Sequence, residues 1–233
     1  FDAINGERAH GTLVKIVSQP IYRDAVINGK FLAGATTISI LVVSIVLVIS
    51  GFGLTLVGVV PGVEEILRLA IYVVISIFYI SFWLGLSILF SIAFRSVATS
   101  FLASVAVWIF LSFFVSMGAS VLSNSIAPVD KREGDDPETV IANTRIKEGV
   151  SLLSPMFIYS NATATIIDPM RKTTRSLVLM GPMEQISSSR FQNPLSLGQS
   201  LIVVYPHLVA LIAISLICFA VSYSIFMMQE IRT

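Results

Sequence analysis

Residues 71–80, with the sequence IYVVISIFYI, are the stretch that decides the fold class of this chain. They lie inside a run, between Arg68 and Arg95, that contains no Asp, Glu, Lys or Arg. An ionised side chain is strongly disfavoured at the centre of a bilayer, and a helix of about 20 apolar residues crosses its hydrocarbon layer. Because buried helices of soluble proteins are normally shorter, the run predicts a membrane-spanning helix.

Three further charge-free runs have the same character. They extend from Phe31 to about Val60, from about Thr99 to Leu122, and from about Leu201 to Met228. Hydrophobic residues make up 55% of the chain and charged residues only 12%, whereas soluble domains carry about a quarter charged residues. The sequence therefore predicts an all-α integral membrane protein with about four transmembrane helices.

The basic residues predict how these helices are oriented. Residues 1–30 precede the first span, 31–122 hold three spans, 123–200 form a long loop, and 201–233 hold the last span and a tail. Lys and Arg concentrate before the first span, in the turn between the second and third, and in the tail: Arg8, Lys15, Arg23, Lys30, Arg95 and Arg232. By the positive-inside rule both ends are cytoplasmic and residues 123–200 are extracytoplasmic. We expect a multi-pass protein of a prokaryotic plasma membrane.

The predicted outer loop contains helix-start signals. Asp136-Pro137-Glu138 predicts a short helix to about Lys147, and Ser154-Pro155 repeats the signal ahead of residues 156–167. Residues 151–167 are charge-free but short, so they either lie at the interface or enter the membrane as a re-entrant helix. Asn161-Ala162-Thr163 fits the glycosylation acceptor pattern, and whether it is modified stays open.

Motifs for catalysis or for cofactor binding are not found in the sequence. The two histidines, His10 and His207, fall on opposite sides of the predicted membrane, and Cys218 fits a small apolar filler. No HExxH, GxSxG or phosphate-binding glycine loop occurs, so we expect no enzyme activity, no cofactor and no metal site. A net charge of +1 gives no support to nucleic-acid binding.

The polar residues inside the spans are mainly serines, which leave two interpretations open. Ser76, Ser81, Ser87 and Ser91 either allow close helix packing or form a weakly polar lining of a translocation path. Aromatic residues in the second and third spans either pack and face lipid or offer a surface to an apolar cargo; they are Phe78, Tyr79, Phe82, Trp83, Trp108, Phe110, Phe113 and Phe114.

The first thirty residues carry the most specific signal. Leu13, Ile16 and Val17 fall at helical spacing, and Pro20 ends or kinks that helix. A polar segment of this kind is either a juxtamembrane amphipathic helix held by anionic lipids or a docking surface for a soluble partner.

This segment resembles the signature of ABC-2 type transporter permeases. The matching elements appear in order and at matching spacing, as Glu7-x-x-x-Gly11-Thr12-Leu13, Ser18-Gln19-Pro20-Ile21-x-Arg23 and Gly29-Lys30-Phe31-Leu32. The tail from Phe226 to Arg232 and the outer Leu153-Ser154-Pro155 also look like that family.

The resemblance implies a role for each part of the segment. In such permeases this helix docks on an ABC ATPase subunit and passes ATP-driven movement to the pore. By resemblance the ATPase-coupling residues are Glu7, Gly11, Thr12, Leu13 and Pro20, with Arg23 and Lys30 near the membrane entry. The four spans would be helices three to six of a six-helix permease, so we expect the chain to be incomplete at its N-terminus.

The resemblance also implies how the protein assembles, and two alternative functions remain open. The permease would bind no ATP itself and would act as a homodimer or as a pair of sister permeases in the lipid, with the cargo path between them. One alternative is a channel or secondary carrier without an ATPase, although the spans hold no ionisable residue near their midplane. The other is a membrane scaffold or sensor whose outer loop binds a ligand. The cargo stays open.

Overall fold

The computed structural model describes residues 3–12, 22–58, 60–129, 137–174 and 193–228. Within these ranges the regular structure is helical and contains no strand. In chain order the helices are α1 Asn5–Ala9, α2 Arg23–Val57, α3 Val63–Ala93, α4 Val97–Ile109, a π-helical segment Phe110–Phe114, α5 Val115–Ile126, α6 Pro137–Ser151, α7 Pro155–Ile167 and α8 Leu197–Met228.

Four helical stretches in the described residues are long and apolar enough to cross a membrane. They are Asp24–Leu56 in α2, all of α3, the continuous stretch Val97–Ile126 and all of α8, and they contain between 30 and 33 residues. The large apolar side chains of α2 and of α4–α5 are mostly exposed, as expected for helices whose outer surface contacts lipid. The predicted all-α membrane fold with four spans is confirmed.

The helices extend further than the charge-free runs that predicted them. Lys30 lies inside α2 and Arg68 lies inside α3, each within two turns of a helix end. A helix of 31 residues is about 45 Å long, whereas the hydrocarbon layer is about 30 Å thick. The charge-free run marks only the part of the helix that must avoid charge, and the backbone continues as helix beyond it.

The third span has an irregularity that the sequence did not predict. Between α4 and α5, residues Phe110–Phe114 form a single π-helical turn, so the span is helical throughout but not uniformly α. Such turns are rare and insert one extra residue into the backbone ladder, which shifts the faces of the helix on either side. Helices α5 and α7 both pack against this segment.

The two helices predicted to begin near Pro137 and Pro155 are present. Helix α6 begins at Pro137 as predicted but runs four residues past Lys147, and α7 covers the predicted residues 156–167. The Ser154 hydroxyl accepts a hydrogen bond from the amide of Phe157 at 3.4 Å, which caps α7. The two helices bend by 105° at their junction, the geometry of a broken span or of a re-entrant loop.

The described chain divides into two compact units. The first comprises Phe1–Pro61, Val73–Trp108 and Leu211–Thr233, and the second comprises Gly62–Tyr72 and Ile109–Ala210. In the first unit, serine hydroxyls join α8 to α3: Ser215 donates to the carbonyl of Phe78 and Ser222 donates to that of Gly85, both at 3.2 Å. Small residues therefore bring these two helices close together.

The second unit is organised around the buried guanidinium of Arg68. Its side chain pairs with Glu64 at 2.8 Å, and it also donates to the carbonyls of Ile166 and Leu195 and to the hydroxyl of Ser200. Arg68 is only 4% exposed, so these acceptors replace the water that the charge loses on burial. One side chain thus joins α3, the end of α7 and the start of α8.

Candidate functional site

The short N-terminal helix α1 is docked onto the end of the second span. The backbone amides of Ile4 and Asn5 both donate to the hydroxyl oxygen of Ser91, at 2.9 and 3.0 Å. The side-chain amide of Asn5 donates to the carbonyl of Ser96 at 3.3 Å, in the turn between α3 and α4. The amides at the start of a helix have no partner within it, and here another helix supplies the acceptor.

An apolar cluster holds the same end of α1. Ile4 is fully buried and packs with side chains from three spans, namely Ile27 of α2, Ile88 and Ile92 of α3, and Phe226 of α8. Fully burying a side chain of this size stabilises a protein by about 1.5–3 kcal/mol. The start of α1 is therefore anchored by apolar packing in addition to its hydrogen bonds.

A salt bridge joins the middle of α1 to the first span. Glu7 Oε1 lies 2.6 Å from Nζ of Lys30, and both side chains are about one quarter exposed. The second carboxylate oxygen, Oε2, is buried and has no hydrogen-bond partner among the described residues. Glu7 and Lys30, which the sequence analysis selected as separate positions, form one contact.

Gly11 and Thr12 terminate α1. Gly11 has φ +69°, the left-handed conformation that glycine adopts readily at the C-terminus of a helix. The amide of His10 donates to the carbonyl of Gly6 at 2.9 Å, and the Thr12 hydroxyl donates to that of Glu7 at 3.2 Å. Among the described residues, a side chain at position 11 would meet nothing within 4 Å.

For three of the predicted coupling residues the structure gives no side-chain contact. Leu13 and Pro20 lie outside the described residues, together with the helical spacing predicted around Ile16 and Val17. Arg23 is the first residue of α2. Of the seven predicted coupling residues, the structure therefore brings Lys30 and Thr12 into contact with Glu7, and it places Gly11 just beyond the end of α1.

Ser91 makes a contact that the sequence did not predict. It was considered only among the span serines, as a packing residue or as part of a path lining. In the structure it is fully buried at the last turn of α3 and accepts from α1. A serine near the end of a span, next to a turn with a basic residue, was the available signal, and nothing in the sequence connects it to Asn5.

The groups of the site are suited to hold α1 in place and not to carry out a reaction. Its groups are backbone amides, a hydroxyl, one ion pair and apolar side chains, and the described residues contain no cluster of His, Cys, Asp or Glu that could hold a metal. These groups fix the position of α1 relative to three spans. They offer no nucleophile paired with a base.

The glycosylation tripeptide in α7 is poorly placed for modification. Asn161 lies inside α7 and is 9% exposed. Its side-chain oxygen accepts a hydrogen bond of 2.6 Å from the guanidinium of Arg171. Acceptor asparagines are expected in accessible surface loops, so this environment disfavours glycan transfer.

Comparison with known proteins gave one match. The family model described as "ABC-2 family transporter protein" matches residues 1–231, which is nearly the whole chain. No curated protein and no solved structure matches it significantly.

Proposed function

The chain belongs to the ABC-2 family of transporter proteins, and from this premise we propose that it forms the translocation path of an ATP-driven exporter. It is a membrane permease component of an ABC-type transporter. Hydrolysis takes place on a separate ATPase subunit, which docks on the α1 region from the cytoplasm. Two permeases, identical or sister chains, assemble with two ATPase subunits in the plasma membrane.

The observation that carries this proposal is the attachment of α1 to the ends of the spans. Its first residues are held by Ser91 and by the apolar cluster around Ile4, and Glu7 is paired with Lys30 of the first span. A force applied to α1 therefore reaches α2 and α3 directly. A free amphipathic helix lying on lipid would lack such connections.

The opposite end of α1 supports a docking role. Gly11 and Thr12 are exposed, and no described residue lies within 4 Å of a Cβ placed at Gly11, whereas Ile4 and Asn5 are fully buried. One end of the segment is thus fixed to the membrane domain and the other is available to a soluble subunit. ATP binding would favour one of two positions of α1, and with it one of two access states of the path.

Pull-down of the full-length membrane protein from mild detergent tests this assignment, with wild type compared with Gly11→Trp. Gly58→Trp is the matched control, because Gly58 also has a left-handed φ, of 70°, with nothing within 4 Å, and lies at the other end of α2. Both variants impose the same backbone strain. Only the first places a bulky side chain on the proposed docking surface.

We expect an ATPase subunit in stoichiometric amount with wild type and with Gly58→Trp, and at least a fivefold lower amount with Gly11→Trp. Equal retention by Gly11→Trp would contradict the docking surface. If wild type captures no ATPase and the purified protein alone supports gradient-driven flux in liposomes, the chain acts as a channel or secondary carrier.

A further inference from the structure

Given the proposed function, on which this inference rests, we propose that Ser91 is the positioning residue that transmits movement of α1 to the second span. Its hydroxyl oxygen is the point at which α1 is fixed to α3. When nucleotide displaces α1, the displacement is delivered to the end of α3 and to the turn that begins the third span.

The geometry of the contact supports this role. One hydroxyl oxygen accepts from two consecutive amides, those of Ile4 and Asn5, at 2.9 and 3.0 Å. These residues are 87 and 86 positions away from Ser91 in the chain. Two bonds to one oxygen fix the direction of the helix start as well as its distance.

Burial distinguishes this link from the ion pair beside it. Ser91 and Asn5 are both fully buried, so water cannot replace the hydroxyl if it is removed. Glu7 and Lys30 are about one quarter exposed, so solvent compensates in part when that pair is broken. The side-chain amide of Asn5 also donates to the carbonyl of Ser96, so the start of α1 is bonded to the turn between α3 and α4 as well.

The test uses the full-length permease co-purified with its ATPase subunit, and measures backbone hydrogen exchange with and without ATP and vanadate. Ser91→Ala is compared with wild type. Ser222→Ala is the matched control, because Ser222 is equally buried and its hydroxyl bonds to the carbonyl of Gly85 in α3, but it does not contact α1 through a hydrogen bond in the described structure.

In Ser91→Ala we expect exchange in peptides covering residues 3–12 to accelerate about tenfold at the two freed amides. In wild type and in Ser222→Ala, ATP with vanadate should change exchange in peptides covering residues 86–100. In Ser91→Ala this nucleotide-dependent change should be lost while the ATPase remains bound. A residue that serves packing alone would not remove the nucleotide response.

A second pair of variants leaves the spans unaltered, in case Ser91→Ala assembles poorly. Asn5→Pro deletes one of the two amide donors at the first position of α1, where proline is tolerated. Asn5→Ala removes the same side chain and keeps the amide. The proposal predicts that Asn5→Pro loses more of the nucleotide-dependent change than Asn5→Ala does.

The results separate this inference from the function on which it rests. Absence of an ATPase from the wild-type complex would overturn the proposed function. An ATPase-bound Ser91→Ala complex with an unchanged nucleotide response, or an Asn5→Pro variant indistinguishable from Asn5→Ala, would overturn the role of Ser91 alone.

Discussion

Nζ of Lys30 lies 2.6 Å from Oε1 of Glu7, so a residue of α1 is paired with a residue about two turns into α2, the first span. The two are 23 positions apart in the chain. The structure describes only part of the residues between them. The pair holds α1 against the N-terminal part of α2.

Reversing one charge of this pair should weaken the site, and reversing both should restore it. Glu7→Lys and Lys30→Glu each place like charges at contact distance, whereas the double variant re-forms an ion pair. A pair that is about one quarter exposed contributes about 1 kcal/mol or less, equivalent to about fivefold in an equilibrium. We expect each single variant to lower ATPase co-purification by about that factor, and a double variant no better than the singles would contradict the pairing.

Arg68→Met should destabilise the protein strongly. The substitution leaves the carbonyls of Ile166 and Leu195 and the hydroxyl of Ser200 without their donor in a buried environment. Removing one partner of such a buried network costs about 3 kcal/mol, or about 5 °C or more in melting temperature for a chain of this size. Arg95→Met, at an exposed arginine, is the matched control and should melt as wild type does.

Thermal unfolding can be followed through the sole cysteine of the chain. Cys218 is buried, so a thiol-reactive dye should label it only as the protein unfolds. An Arg68→Met variant whose labelling midpoint equals that of Arg95→Met would show that the guanidinium contributes nothing to stability.

Gly34→Phe should disrupt the packing of the first span on the second. An added Cβ at Gly34 would meet the Cδ atoms of Leu84 at 2.9 and 3.0 Å, and the rest of the ring needs still more room. Overpacking of this kind costs about 1–3 kcal/mol. Gly51→Phe, on the same helix with nothing within 4 Å, should leave the labelling midpoint of Cys218 within about 1 °C of wild type. Equal effects at the two positions would contradict the contact.

Asn161 should remain unmodified even in a host that glycosylates membrane proteins. Asn161 lies in α7, is 9% exposed and accepts a hydrogen bond from Arg171, so its side-chain amide is poorly accessible to an oligosaccharyltransferase. We expect no mobility change on endoglycosidase treatment of the expressed protein. A shift that disappears in Asn161→Gln would show that α7 is accessible during or after insertion.

The sequence predicted the elements well because their signals are local. Because charge is excluded from hydrocarbon, each span appears in the sequence as a long charge-free run, and these runs located all four spans. Pro137 and Pro155 indicated the starts of α6 and α7. Their ends were less well predicted, since a helix continues past its apolar section. The π-helical turn at Phe110–Phe114 has no comparable local signature, and it was missed.

The candidate site was predicted only in part: the sequence selected individual residues but did not predict which of them contact one another. The resemblance to a family selected Glu7, Gly11, Thr12 and Lys30 one by one, while their contacts depend on how the chain returns to the same place. Leu13 and Pro20 lie outside the described residues. The coupling role of all seven selected residues stays a prediction.

By itself the sequence determined that this chain is a bundle of membrane helices, because the cost of burying charge acts on every segment independently of its neighbours. Tertiary structure decided which polar groups face one another. Ser91 accepts from residues more than 80 positions away, and Arg68 joins acceptors about 100 and more positions away. A hydrogen bond requires its two groups within about 3 Å, and only the packed helices set that distance.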